Sequence, residues 1–180
     1  MAPSDSEQEQ YRDVFAHFGR AMYHAEMLER RLVASLAAAR ASGGPTVDVA
    51  AWDELWQPES LAPVVEVVRW LERFAEAPRG LDAAVRPAML ARNLLAHGYF
   101  AGRMERHATV SGRRDMIAEL DHIAESLRSM DVGLAWLTNR VESRLTVSDE
   151  EIEAALSDVV PPAPEPGEGT ISDSGSGPDT

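Results

Sequence analysis

Between residues 116 and 141 the apolar side chains recur in steps of four and three without a miss: Met116, Leu120, Ile123, Leu127, Met130, Leu134, Leu137 and Val141. A 4-3 alternation places all eight on one seam of an α-helix, because the heptad spacing nearly matches two helical turns. The seam is longer than a short neighbouring helix can cover. A chain carrying it must supply a long partner or a second copy.

The first forty residues offer a second stripe. Tyr11, Val14/Phe15, Phe18, Met22, Ala25, Leu28, Leu32 and Leu36 share one helical face and predict a first helix over about 7–41, stopped by Gly43-Gly44-Pro45. Two shorter helices follow at about 61–76, with Pro63 tolerated in its first turn, and at about 81–100, where Pro87 is expected to kink the helix or mark a restart. Between them, Trp52 and Trp56 stand four apart on a possible short helix before Pro58. Nothing alternates with the period of two that a half-buried strand requires. The expectation is an all-α fold: an antiparallel four-helix bundle with long first and last helices, occupying residues 1–147 and pointing to a dimer through its long seam. Ser148-Asp149-Glu150-Glu151 resembles a capping box for a short helix at 148–160 over Ile152, Leu156 and Val159. Residues 161–180 hold five prolines, four glycines and three serines, and read as a disordered acidic tail.

Composition narrows the chemistry. The 180 residues contain no cysteine, which removes disulfides, thiolate metal sites and thiol nucleophiles. All 17 basic residues are arginine, which removes Schiff-base lysines and the P-loop lysine. No membrane span or signal peptide is present in the sequence, so a cytoplasmic protein without membrane partners is expected. The net charge of −13 is unevenly spread: residues 148–180 carry nine acids and no base, leaving 21 acids against 17 arginines before them. Within 86–114 the sign reverses, with Arg86, Arg92, Arg103, Arg106, Arg113 and Arg114 against Glu105 alone. Local fields decide encounter, so an anionic substrate remains open despite the global charge.

The third helical stretch ends Ala91-Arg92-Asn93-Leu94-Leu95-Ala96-His97-Gly98-Tyr99-Phe100. Its Arg-Asn-x3-His core, extended by Tyr99 to Arg-x4-His-x-Tyr, resembles the motif of HEPN-domain ribonucleases, and of HEPN toxins paired with minimal nucleotidyltransferase (MNT) antitoxins in particular. The motif covers eight residues, and the helical layout is similar over about 7–145. The resemblance implies metal-independent RNA cleavage, without a cofactor, at a cleft where two protomers bring their motifs together. It gives Arg92, Asn93 and His97 catalytic roles, leaves 2′,3′-cyclic phosphate and 5′-OH ends, and places the protein in toxin–antitoxin or phage-defence settings. Tyr99 is then the residue an MNT-type antitoxin nucleotidylates. The chain departs from that family in its extra length, its acidic tail and its Trp52/Trp56 segment.

Helix geometry bears on the same residues independently. At about 100° per residue Asn93 and His97 lie near one face, whereas Arg92 and His97 diverge by about 140°. Either the helix distorts near Gly98 or groups from two protomers converge. An imidazole titrates near pH ~6.5 and can exchange protons with a ribose 2′-OH or a departing 5′-oxygen. A guanidinium offers a fixed charge and a planar fork to phosphate oxygens, and Arg103, Arg106, Arg113 and Arg114 could guide an RNA backbone by charge.

Plainer readings exist for each. Cations followed by glycine at a helix C-terminus form an ordinary cap, with Gly98 supplying a left-handed turn. Tyr99 beside Phe100 could be packing, and a non-catalytic HEPN-like interaction module could use the acidic tail to engage a partner. Glu119-x-x-His122 matches half of a di-iron pattern but lacks its second copy, and Asp13, His17 and His24 on the first helix read as solvated rather than metal-binding. His107 lies in a loop-like stretch near the arginines, and Trp70 and Trp136 are expected to pack.

Overall fold

The computed structural model describes residues 5–45, 61–77 and 80–144, with 150 and 154. The Trp52/Trp56 segment, the helix expected at 148–160 (those two positions apart) and the tail at 161–180 lie outside the described residues. Five α-helices account for nearly everything else: α1 (Asp5–Ala41), α2 (Leu61–Phe74), α3 (Leu81–His97), α4 (Met104–His107) and α5 (Val110–Glu142), with a 3₁₀ turn at Ala101–Arg103. No strand occurs among the described residues.

The all-α expectation holds, and so does the seam. All eight seam residues of α5 are buried, from Met116 to Val141. What covers them is chiefly α1, whose Val14, Ala21, Ala25, Leu28, Leu32 and Leu36 are buried in the same core. At 37 and 33 residues the two helices reach about 55 and 50 Å, so each matches the other's length. The seam is therefore satisfied within one chain, and its length does not call for a second copy.

The direction of the long helices differs from the antiparallel expectation. Cross-links from Gln10 to Arg113, His17 to Asp121, Arg31 to Asp131 and Ser35 to Thr138 ascend together, so α1 and α5 run parallel. The directions of the shorter helices between them are consistent with this. Among the described helices only α3 runs back, from Leu81 beside Gly133 to Tyr99 beside Met116, with Arg92 against Glu29 on the way. At 14 residues, about 21 Å, α2 is too short for a full pass. Its C-terminal end meets the C-terminal end of α5, where Arg140 donates to the Ala75 carbonyl and Arg144 to that of Phe74, both at 2.8 Å. One reverse pass between two long helices leaves them parallel.

Helix ends follow local chemistry. After α1, Gly43 takes φ +74 while the Gly44 and Gly43 N–H groups donate to Ala39 and Arg40, a Schellman turn of the kind glycine favours. Thr109 caps α5 by accepting the Gly112 N–H at 3.1 Å, which starts the helix well before the seam. The helix α3 continues through Pro87 as one element and ends at His97. Its first turn lacks a local cap; instead the buried Glu72 carboxylate accepts the N–H groups of Gly80 and Leu81 at 3.0 and 2.7 Å. Trp70 packs as expected, stacked on Phe74 at 4.9 Å and close against Gly44. Trp136 does not: it falls between the seam residues Leu134 and Leu137 and is 50% exposed.

Candidate functional site

The last two turns of α3 carry Arg92, Asn93 and His97. A partly buried ion pair between the Arg92 Nε and Glu29 of α1 turns the guanidinium toward α1, and its Nη1 donates to the Asn93 Oδ1 at 3.3 Å. His97 occupies the final helical position and is exposed. The helix closes regularly there, the Gly98 N–H donating to the Leu94 carbonyl at 3.1 Å, so no distortion rotates His97 toward Arg92. Gly98 itself has φ −158 and forms no left-handed cap. The structure thus joins Arg92 to Asn93 and leaves His97 directed elsewhere on the same helix end.

Immediately beyond, Tyr99 pins the chain to α5. Its ring is 1% exposed, its hydroxyl donates to the Met116 carbonyl at 3.1 Å, and Arg103 lies over its face, 4.2 Å from the centroid. Burial, reinforced by the Glu119 charge and opposed by Arg103 and Arg106, pushes the phenol up to about 12. The hydroxyl is closed off from solvent in this arrangement.

The arginines expected to guide RNA divide sharply. Arg103 grips Glu119 with two nitrogens and donates to the Tyr99 carbonyl at 3.0 Å, while Arg106 reaches the same carboxylate at 2.9 Å. The Arg103 hydrogen bond, ahead of its charge and the contribution of Arg106, holds the Glu119 carboxyl below the usual carboxylate range. Arg113 is 1% exposed: it lies over the Tyr11 ring, 4.2 Å from the centroid, and donates to Gln10 and to the His107 carbonyl. Arg114 alone of the four stands exposed outside this network, although Arg106 retains part of its surface.

His107, placed in a loop by its sequence context, is enclosed instead. Its ring meets Tyr11, Phe15 and Phe100 at centroid distances of 5.1, 5.8 and 5.8 Å, and its Nε2 is buried without a hydrogen-bond partner among the described residues. Glu119, half of the di-iron pattern, is committed to arginines. His17 is drawn into an inter-helix pair with Asp121, which Arg20 shares at 2.7 Å, rather than facing solvent alone. Among the described residues no three His, Asp or Glu side chains are grouped to hold a metal ion, and no described helix is long and apolar enough to cross a membrane.

Sequence reasoning missed the roles of two residues that build this end of the molecule. Glu29 sits among the polar residues of α1 and carries no motif, so its pairing with Arg92 has no sequence signal. Glu119 had one: it is an acid nearly three turns into the helix that follows an arginine-rich stretch. Compared with known proteins, the chain matches no family model, no curated protein and no solved structure.

Proposed function

We propose that this protein is a HEPN-type, metal-independent RNA endonuclease acting as a homodimer in a toxin–antitoxin or phage-defence role. The observation that carries the reading is the arrangement at the end of α3, where Arg92 is oriented by Glu29 and Asn93 while His97 is exposed one turn further on. Because a regular helix splays Arg92 and His97 by about 140°, one chain supplies them to two different faces. In the proposed dimer the two α3 ends face each other, so His97 of one copy works with Arg92 of the other. His97 takes the 2′-OH proton or protonates the departing 5′-oxygen, and Arg92 stabilises the charge that develops on the phosphate. The products are a 2′,3′-cyclic phosphate and a 5′-OH. An MNT-type antitoxin acting on Tyr99 would have to engage a conformation in which its hydroxyl has left Met116.

The test is an RNA cleavage assay in EDTA with product ends mapped, comparing wild type with His97→Ala and Arg92→Ala. The expected outcome is cleavage by wild type alone, with both variants keeping their helicity, because His97 is exposed and Arg92 only partly buried. Equal cutting by all three proteins would sink the site. Mixing the two inactive variants sharpens the dimer claim: a composite site regains partial activity in mixed dimers, and a site within one chain does not.

A second reading, a non-catalytic HEPN-like module that engages a partner, is favoured by one observation. Arg103, Arg106 and Arg113 spend their charge inside the protein, which leaves little of the basic stretch for RNA. Absence of cleavage on several RNA pools, together with a stable complex recovered with a purified candidate partner, would select it.

A further inference from the structure

An apolar groove of about 490 Å³ opens at the C-terminal end of α5, between that helix and the turn joining α2 to α3. Ala77, Leu81, Val132, Gly133, Trp136 and Leu137 line it, and Glu72, the one acid among the described lining residues, is buried and already accepts two backbone N–H groups. Val132 and Trp136, one turn apart, are 54% and 50% exposed. Two large apolar side chains left half-bare along one groove mark a surface that something covers. At the rim Arg140 lies over Trp136, 5.5 Å from its ring centroid, and Arg144 donates to the Phe74 carbonyl and pairs with the exposed Glu76 at 2.9 Å.

We infer that this groove is the docking site for the chain's own residues 148–160. Three observations select that occupant. Position is the first: the segment leaves α5 at Arg144, within about 20 Å of the whole groove, and a connection of a few residues is enough to turn one helix back along another. Pattern is the second: Ile152, Leu156 and Val159 fall on one helical stripe whose size suits a groove walled by Val132 and Trp136. Charge is the third: Asp149, Glu150, Glu151, Glu153 and Asp158, with no base among them, meet Arg140 over Trp136, next to the Arg144–Glu76 pair. Folded back antiparallel to α5, the segment sets Val159 opposite Val132 and carries Ile152 and Leu156 past Arg140 and Trp136.

The absence of native cysteine makes the test clean. In the full chain, Val132→Cys with Val159→Cys is oxidised at low protein concentration and compared with Val132→Cys paired with Ser174→Cys, a control in which the second thiol lies farther along the tail. Docking predicts an intrachain disulfide forming at least ~10-fold faster in the first pair, through raised effective concentration. Equal rates in both pairs overturn the proposal, and a disulfide linking two chains assigns the groove to a second copy instead. A second measurement leaves the groove intact: Ile152→Asp with Leu156→Asp should speed amide exchange over residues 130–137. Unchanged exchange there overturns the proposal as well.

Discussion

The α1–α5 interface and the corner formed by residues 98–114 use opposite means to hold helices together. Along the long pair, apolar side chains meet over about 50 Å, and each buried leucine or isoleucine contributes ~1.5–3 kcal/mol. Polar links such as the buried Ser35–Thr138 pair add registry to an interface already fixed by area. In the corner the apolar contribution is a cluster of aromatic rings around Tyr99, Phe100 and His107, and polar links do the rest. Four residues of α4 and a 3₁₀ turn are tied to α5 by arginines, a shared carboxylate and a tyrosine hydroxyl, and to α1 by aromatic contacts with Tyr11, Phe15 and Phe18. The first region is decided by periodicity, which a sequence displays. The second is decided by which charge meets which, and no periodicity displays that.

The contrast is broken most severely on the apolar side. Leu127 is fully buried in the seam, and Leu127→Ala should lower unfolding free energy by ~2–5 kcal/mol in urea denaturation. A loss below that of the corner variants would overturn the primacy of the seam. Next comes the place where the regions touch. A Cβ on Gly112 would stand 2.1 Å from the Arg106 carbonyl oxygen. Alanine in a helix interior ordinarily gains up to ~1 kcal/mol over glycine, yet Gly112→Ala should lose ~1–3 kcal/mol by forcing α4 away. A stabilised Gly112→Ala would mean that α4 is not seated against α5.

The polar side can be probed by pH. Glu119 is held below the usual carboxylate range by Arg103, so its contribution is present above the unfolded value of about 4.3 and is lost as pH falls through its own lowered value. Glu119→Gln should therefore be ~1–2 kcal/mol less stable than wild type at neutral pH, and the gap should close in acid. A gap that stays constant from pH 7 to pH 3 would remove the ion pair from the account. Tyr99 answers from the alkaline end. With its phenol raised to about 12, its contribution is complete below the ordinary value near 10 and is lost as pH climbs from there toward 12. Ultraviolet titration of the three tyrosines should show one ionising late, and Tyr99→Phe should erase that phase while lowering stability by ~0.5–1.5 kcal/mol.

How far the sequence could be read follows the same division. The seam from Met116 to Val141, the stripe on α1 and the end of α1 at Gly43 were legible because each is a local or periodic signal. The parallel sense of α1 and α5 was not, since an apolar stripe has no direction and the number of return passes depended on how α2 packs. Trp136 was misplaced by its residue type, although the seam itself puts position 136 off the buried stripe. The Arg92, Asn93 and His97 constellation was legible as spacing, and the splay of Arg92 from His97 followed from helix geometry. The fates of Arg103, Arg106 and Arg113 were not legible. Counting charge in 86–114 stopped short of Glu119, the carboxylate that absorbs two of them, and gave no hint that Arg113 would be buried over Tyr11.

Arg114 supplies the finest cut through the comparison. Its neighbour Arg113 is buried, and replacing it would remove hydrogen bonds to Gln10 and His107 along with any effect on a ligand, so a loss of RNA binding in that variant would teach little. Arg114 is exposed at the same end of α5 and belongs to no such network. Arg114→Ala should therefore shift stability by less than ~0.5 kcal/mol. If the proposed RNA substrate passes this corner, the same variant should weaken binding alike for all sequences and reduce the slope of log affinity against log salt by about 1. A full salt slope in Arg114→Ala, with cleavage retained, would place the RNA path on another face of α3. A structural defect would instead mean that this arginine, like the three before it, serves the fold.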